Sequence, residues 1–267
     1  MPLLVCATPI GNLEDITLRA LASLRDADIV LCEDTRHTRG LLERHGIDAR
    51  LLSYHEHNEA ARTAELLPRL EAGERIALVS DAGMPGVSDP GARIVRAALE
   101  AGIEVTVLPG PSAVETALVA SGLLGERYEF LGFLPRGAKA LGELWESLAD
   151  RRWPVVAFES PQRLPATLRS LAAFDPARPV AVCRELTKRF EEVVRGTASD
   201  LAERFAEPPK GELTLVVGAG EERVPDDEAA LAAVTELVDA GVARKQAAEL
   251  VARLTGVPRN TLYRRSL

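Results

Sequence analysis

Short apolar runs alternate along the chain with stretches in which apolar residues recur at helical spacing. Residues 3–7, 28–32, 51–54, 75–79 and 104–108 are largely unbroken apolar runs, the pattern of strands buried on both faces. Between them lie amphipathic segments. Thr17 is placed to cap a helix that buries Leu18, Leu21 and Leu24, and residues 92–101 carry Ile94, Val95, Ala98 and Leu99 on one face. Strand, loop and helix follow one another five times before residue 120, which predicts a parallel sheet covered by helices. A second set of strands is expected at 128–133, 154–159, 179–184 and 212–218, with helices near 139–149, 161–173 and 197–205. Residues 221–227 read as a polar linker. Beyond it Ala243, Ala247, Leu250, Val251 and Leu254 mark one helix face, Gly256 stops that helix and Pro258 starts another.

The expected architecture is therefore α/β: an N-terminal domain over 1–120, a second α/β domain over 121–222, and a helix-turn-helix-like tail over 226–267.

Three loops concentrate turn chemistry at the carboxyl ends of first-domain strands, where open α/β sheets bind ligands. These are Thr8-Pro9-Ile10-Gly11-Asn12, the twelve residues from Ser80 to Gly91, and Pro109-Gly110-Pro111-Ser112, whose serine can cap the next helix. A small ligand touching all three would be held mainly by backbone groups, with Asp81 and Ser112 adding side chains. Phosphate-binding P-loops, strand-linked G-x-G-x-x-G fingerprints and G-x-S-x-G elbows are missing, which argues against ATP, Rossmann dinucleotide and hydrolase chemistry.

Totals narrow the picture further. The chain has 267 residues, 46% hydrophobic and 27% charged, with a formal charge of −8. No apolar run approaches the roughly 20 residues of a membrane span, and the first residues run into a strand without the charged region of a signal peptide. Cys6, Cys32 and Cys183 fall in expected strands without C-x-x-C pairing, as buried thiols of a reducing, cytoplasmic protein would. The negative total disfavours a globally basic nucleic-acid binder. From Asp239 to Leu267, however, six basic residues face two acidic ones, the footprint expected of RNA-backbone contact by Arg259, Arg264 and Arg265. A basic packing extension is the plainer alternative.

The loops also carry a resemblance. Thr8-Pro-Ile-Gly-Asn-Leu, Glu33-Asp-Thr-Arg, Ser80-Asp-Ala-Gly-Met-Pro-Gly, Pro109-Gly-Pro-Ser-Ala, Phe158-Glu-Ser-Pro-Gln-Arg and Arg184-Glu-Leu-Thr-Lys resemble, in that order and over nearly the whole chain, the tetrapyrrole (corrin/porphyrin) methylase superfamily. Within it the chain is most similar to the branch that 2′-O-methylates a cytidine of small-subunit ribosomal RNA. Met84 departs from the small or hydroxylated residue expected there. The resemblance implies a cleft between the two α/β domains, S-adenosylmethionine as methyl donor, and a homodimer acting on small-subunit rRNA or the assembled subunit. Carried onto this chain, Pro9, Ile10, Gly11, Asp81, Met84, Pro85, Ser112 and Ala113 would face the cofactor. Phe158, Leu186 and the segment Gly211, Glu212 and Leu213 would close the site from the second domain.

A ribose hydroxyl is a weak nucleophile, so a nearby base should help. Glu33, Asp34 and His55 (with His57) are candidates, and Arg36, Arg136, Arg184 and Lys188 are available to clamp phosphates. Asp34 and Thr35 could equally cap the helix that follows. His55-x-His57 could be a metal pair, but no third ligand has suitable spacing, so no metal is expected. A tetrapyrrole methylase and a silent RNA-binding assembly factor stay open as alternatives. The basic tail favours RNA over a small molecule, and the intact loops count against silence.

Overall fold

The computed structural model describes residues 3–220 and 227–267, so most of the expected linker lies outside them. Up to residue 219 the chain forms one compact unit, and Gly220–Leu267 forms another.

Five parallel strands make the first sheet: β1 (Leu3–Cys6), β2 (Ile29–Cys32), β3 (Leu51–Ser53), β4 (Ile76–Val79) and β5 (Val105–Leu108), in the order β3-β2-β4-β1-β5. Alternate residues of the central strands point to opposite faces and meet different helices. Leu4, Cys6, Val30, Cys32, Ala77 and Val79 pack on Ala20 and Leu24 of α1 (Leu18–Asp26) and on Leu41 and Leu42 of α2 (Thr35–Arg44). Leu3, Val5, Ile29, Leu31, Ile76 and Leu78 pack on Leu66 and Leu70 of α3 (Glu59–Glu71) and on Ile94 and Ala98 of α4 (Ala92–Glu100). Both faces are covered, which is why these strands read as continuous apolar runs. Thr17 caps α1 as expected, accepting from Ala20 N at 3.1 Å. Leu18 and Leu99 are nevertheless exposed. Leu18 is the first residue of α1, and Leu99 sits beside the buried stripe of α4 rather than in it.

The second sheet is mixed. It consists of β6 (Glu129–Phe133), β7 (Val155–Glu159), β8 (Pro179–Arg184), β9 (Glu192–Thr197) and β10 (Leu213–Val217), in the order β6-β7-β10-β8-β9, with only β6 and β7 parallel. Strand β9 was not expected. Its charged start reads as a solvated surface because β9 is an edge strand whose residues are only half buried. One face of this sheet packs on α6 (Ala138–Leu148), α7 (Leu164–Phe174) and α8 (Ala198–Arg204) around Trp145. The opposite face is covered by α5 (Ala113–Ser121), through Val114, Ala117 and Leu118, and the same cluster takes in Ile10 and Leu186. Helix α5 follows a strand of the first sheet but packs on the second, so the two halves share a core.

In the C-terminal unit, α9 (Asp227–Asp239), α10 (Arg244–Thr255) and α11 (Arg259–Arg265) enclose Ala230, Val234, Ala247, Ala248, Val251, Val257 and Leu262. The buried stripe of α10 is rotated from the expected one: Ala248 is inside, while Ala243 and Leu254 are exposed. Among the described residues no helix is long and apolar enough to cross a membrane.

Candidate active site

The site begins where β1 and β4 lie side by side. The chain runs from β1 toward β2 on one side and from β4 toward β5 on the other, so their carboxyl ends form the switch point of the sheet. The loops after these two strands are joined. Thr8 N–H donates to Gly83 O at 2.9 Å, Gly83 N–H donates to Thr8 O at 3.1 Å, and the Thr8 hydroxyl donates to Ser80 O at 2.9 Å. Gly83 holds φ +78°, and a Cβ there would stand 3.7 Å from Ile10 and 3.8 Å from Pro111 O. All three glycine- and proline-rich loops therefore converge.

A turn from the second half, Glu185-Leu186-Thr187, closes on them. Glu185 and Thr187 hold φ +52° and +63°, strained values for residues with side chains. Hydrogen bonds hold the turn in place. The Glu185 carboxylate accepts from Glu212 N at 2.9 Å and from Lys188 Nζ at 3.1 Å, and Thr187 Oγ1 accepts from Asn12 N at 3.0 Å. Gly11 is needed for this approach, since a Cβ would lie 2.5 Å from Lys188 Cγ and 2.8 Å from Leu186 O.

Between these segments lies a cavity of about 440 Å³, within the range of small-molecule sites. Ile10, Asp81, Met84, Ser112, Ala113, Phe158, Leu186, Glu212 and Leu213 all line it, as does Gly211. Pro9, Gly11 and Pro85 do not. Pro9 and Pro85 are buried in the loop framework, and Gly11 lies in a shallow surface groove with Lys188. Ser112 occupies the N-cap position just before α5, but its hydroxyl donates to the Glu115 carboxylate rather than capping the helix backbone. Asp81 Oδ1 accepts from Asp34 N at 3.1 Å, so it ties the β4 loop to the β2 loop as well as facing the cavity.

The wall is chemically one-sided. Asp81, Asp89, Glu159 and Glu212 contribute carboxylates, and no Lys, Arg or His lines it among the described residues. Glu159 is neutralised inside the fold by Arg163, Thr167 and Ser160 N. Asp89 is not. Burial, with the charges of Glu33 and Asp81 next, pushes its carboxyl up to about 6, partly offset by the Ser80 hydroxyl. Glu33 is raised as well, by partial desolvation first and then by the Asp81 charge, with His55 opposing. Cys183 also lines the cavity, but burial drives its thiol up to about 11, which leaves it inert.

Of the three bases expected from the sequence, none lines the cavity. Asp34 is the N-cap of α2: it accepts from Arg36 N at 2.8 Å and pairs with the Arg36 guanidinium at 3.0 Å, which lowers it to about 2. A carboxylate so held is a poor base. His55 Nε2 stands 3.0 Å from Asn58 Nδ2, and the Asn58 amide is oriented by His55 N and Ser53 O, so Nε2 is the acceptor and the ring's lone pair is used. Glu33 is exposed at the same edge. Asp89 is not among the acids singled out from the sequence as candidate bases, because only folding brings it beside Glu33 and Asp81. The one hint in the sequence was its place in the long loop.

Among the expected phosphate clamps, Arg184 pairs with Glu192 at 3.0 Å, and Lys188 pairs with Glu185 and Glu212 at 3.1 and 3.0 Å. Both are neutralised internally, and Arg36 is taken by Asp34. Arg136 is exposed, with no ion pair among the described residues. In the C-terminal unit Arg259 and Arg264 are exposed, and Arg265 pairs with Asp227 at 3.2 Å.

Residues 2–202 match the family of tetrapyrrole (corrin/porphyrin) methylases, and residues 224–267 match the RsmI C-terminal HTH domain. The chain is 44% identical to ribosomal RNA small subunit methyltransferase I of Synechocystis over 99% of this chain and 97% of that protein. It is 45% identical to the protein of the same name from Mesorhizobium japonicum, over 99% and 91%. The solved uroporphyrin-III-C-methyltransferase of Thermus thermophilus superimposes with a TM-score of 0.57 at 25% identity, over 81% of this chain and 93% of that one. The chain belongs to the tetrapyrrole methylase family, in the group of the ribosomal RNA small subunit methyltransferase I proteins.

Proposed function

We propose that this protein is an S-adenosylmethionine-dependent methyltransferase acting on the 2′-hydroxyl of a cytidine in small-subunit ribosomal RNA. The carrying observation is the cavity at the switch point, in a chain that matches proteins of that name end to end. Its wall fits the cofactor. Apolar side chains and loop carbonyls suit a nucleoside, and a surface with carboxylates and no cation suits a positively charged sulfonium while rejecting a polyphosphate.

When bound, S-adenosylmethionine supplies a methyl group on a cationic sulfur that leaves as a neutral thioether. Alignment is then the main task of the protein. Ile10, Met84, Ala113 and Leu186 would exclude water around the bound cofactor, and Asp81 would hold its cationic end. Asp89 is the base that supports the reaction best. With the cofactor bound, it would take the proton that the ribose hydroxyl gives up on accepting the methyl group. A base with an affinity for protons near neutrality combines the ionised form with useful driving force. Glu33 acts behind it by raising the proton affinity of Asp89, and His55 opposes the matching rise at Glu33.

Arg136 and the exposed arginines of α11 are proposed to meet RNA phosphates, a smaller set than the seven residues expected from sequence. A homodimer is supported by the exposed apolar residues Val107 of β5, Val119 of α5 and Leu124 just beyond it, with β5 at a sheet edge. Three free buried thiols are in keeping with a cytoplasmic setting.

The test is transfer of radiolabelled methyl from S-adenosylmethionine to small ribosomal subunits, followed by nucleoside analysis. Label in 2′-O-methylcytidine is expected. Cofactor binding without label on subunits or naked rRNA would point to a silent assembly factor.

A further inference from the structure

Phe133 is the last residue of β6, 62% exposed, yet it lines the cavity. An aromatic ring so exposed at the mouth of a site presents a face on which a planar group can stack. Its own setting is rigid. The ring meets Phe158 edge-on, with centroids 5.5 Å apart and planes at 61°, and Phe158 meets Phe130 in the same way at 5.1 Å and 69°. The next residue is pinned from both sides: Leu134 N–H donates to Phe158 O at 3.2 Å, and Leu134 O accepts from Arg163 at 3.0 Å. An irregularity in the β6–β7 pairing between Phe130 and Phe133 re-aims the strand end. The ring is therefore held in place with its outer surface open.

We infer that Phe133 is the platform on which the base of the target nucleotide stacks when its ribose enters the cavity. The inference rests on the RNA reading above. A nucleotide drawn from its neighbours loses base stacking, and proteins that accept such nucleotides replace it with aromatic faces. Phe133 is a positioning residue, since it touches the base and not the reacting hydroxyl.

The experiment compares Phe133→Ala, Phe133→Leu and Phe133→Trp with the wild type, using methylation of small subunits, titration with S-adenosylmethionine and thermal melts. Alanine and leucine should lower kcat/KM by roughly 5- to 150-fold, the range for one lost base–aromatic stack. Tryptophan should retain activity, and in Phe133→Ala the fall in kcat/KM should far exceed any fall in cofactor affinity, with the melt unchanged. Leucine separates stacking from simple apolar packing. In Phe133→Trp, emission measured against the wild-type background should be quenched by a cytidine-containing RNA oligonucleotide and not by the cofactor. Wild-type kcat/KM in Phe133→Ala, or quenching by cofactor alone, overturns the platform while leaving the RNA reading intact. A wild-type enzyme that methylates no cytidine overturns both.

Discussion

Thr8 and Gly83 exchange both of their backbone hydrogen bonds, at 2.9 and 3.1 Å, across two loops that are 75 residues apart in sequence. This bridge fixes the mouth of the cavity, and the strained turn at Glu185–Thr187 is held against it by Asn12.

Asp89→Asn should reduce kcat by about 10²- to 10⁴-fold, the usual contribution of a general base, with little change in cofactor affinity. The wild-type rate should rise as pH passes about 6, where Asp89 loses its proton, and this limb should vanish in the variant. Stability moves the other way. The folded carboxyl holds its proton to higher pH than the unfolded one, so stability falls as pH rises from about 4 to about 6. Asp89→Asn should therefore melt higher than wild type at neutral pH and nearly level with it near pH 4. A pH–rate limb that survives the substitution would assign the base elsewhere.

Asp81→Ala is expected to weaken S-adenosylmethionine binding, read by calorimetric titration. It also leaves Asp34 N–H without its acceptor, a loss of roughly 1 kcal/mol, so a small drop in Tm should accompany it. Unchanged affinity with that drop would make Asp81 a structural residue only.

Gly11→Ala forces a methyl group against Leu186 O and Lys188. Overpacking of this kind costs roughly 1–3 kcal/mol. Because the displaced turn carries Leu186 into the cavity, cofactor affinity should fall together with Tm. Crystals of the variant bound to cofactor with an unmoved turn would contradict this.

Arg178 is a buried cation that donates to Gly218 O at 2.9 Å, Leu148 O at 2.8 Å and Ala149 O at 3.3 Å, and pairs with Asp175 at 3.6 Å. Arg178→Leu strands three carbonyls and should cost about 3–5 kcal/mol, measured by urea denaturation. A loss below about 1 kcal/mol would mean that water replaces the guanidinium.

Arg264→Ala should weaken RNA binding and lower the slope of log affinity against log salt by roughly one. Arg265→Ala should do less, because that side chain is held by Asp227. Filter binding across a salt series decides. No change in either would make α11 a packing element.

Much of the architecture was legible in the residues themselves. Uninterrupted apolar runs such as Ile76–Val79 announce a strand with helices on both sides, and Thr17 or Gly256 announces where a helix starts or stops. Those signals are local: periodicity and capping act within a few residues. The three loops were legible too, because turn chemistry is written in Gly and Pro. Tertiary structure alone decided that Asp89 faces the cavity while Glu33 and Asp34 do not. Glu33, Asp34, Asp81 and Asp89 are all carboxylates on paper. Asp34 is spent on a helix cap, while Asp89 is pressed by burial and two neighbouring charges. Likewise Arg184 and Lys188 look free in sequence and are neutralised in space, and β9 exists because β8 offers it an edge. Charge environment and strand pairing depend on residues far apart along the chain, so no local pattern can carry them.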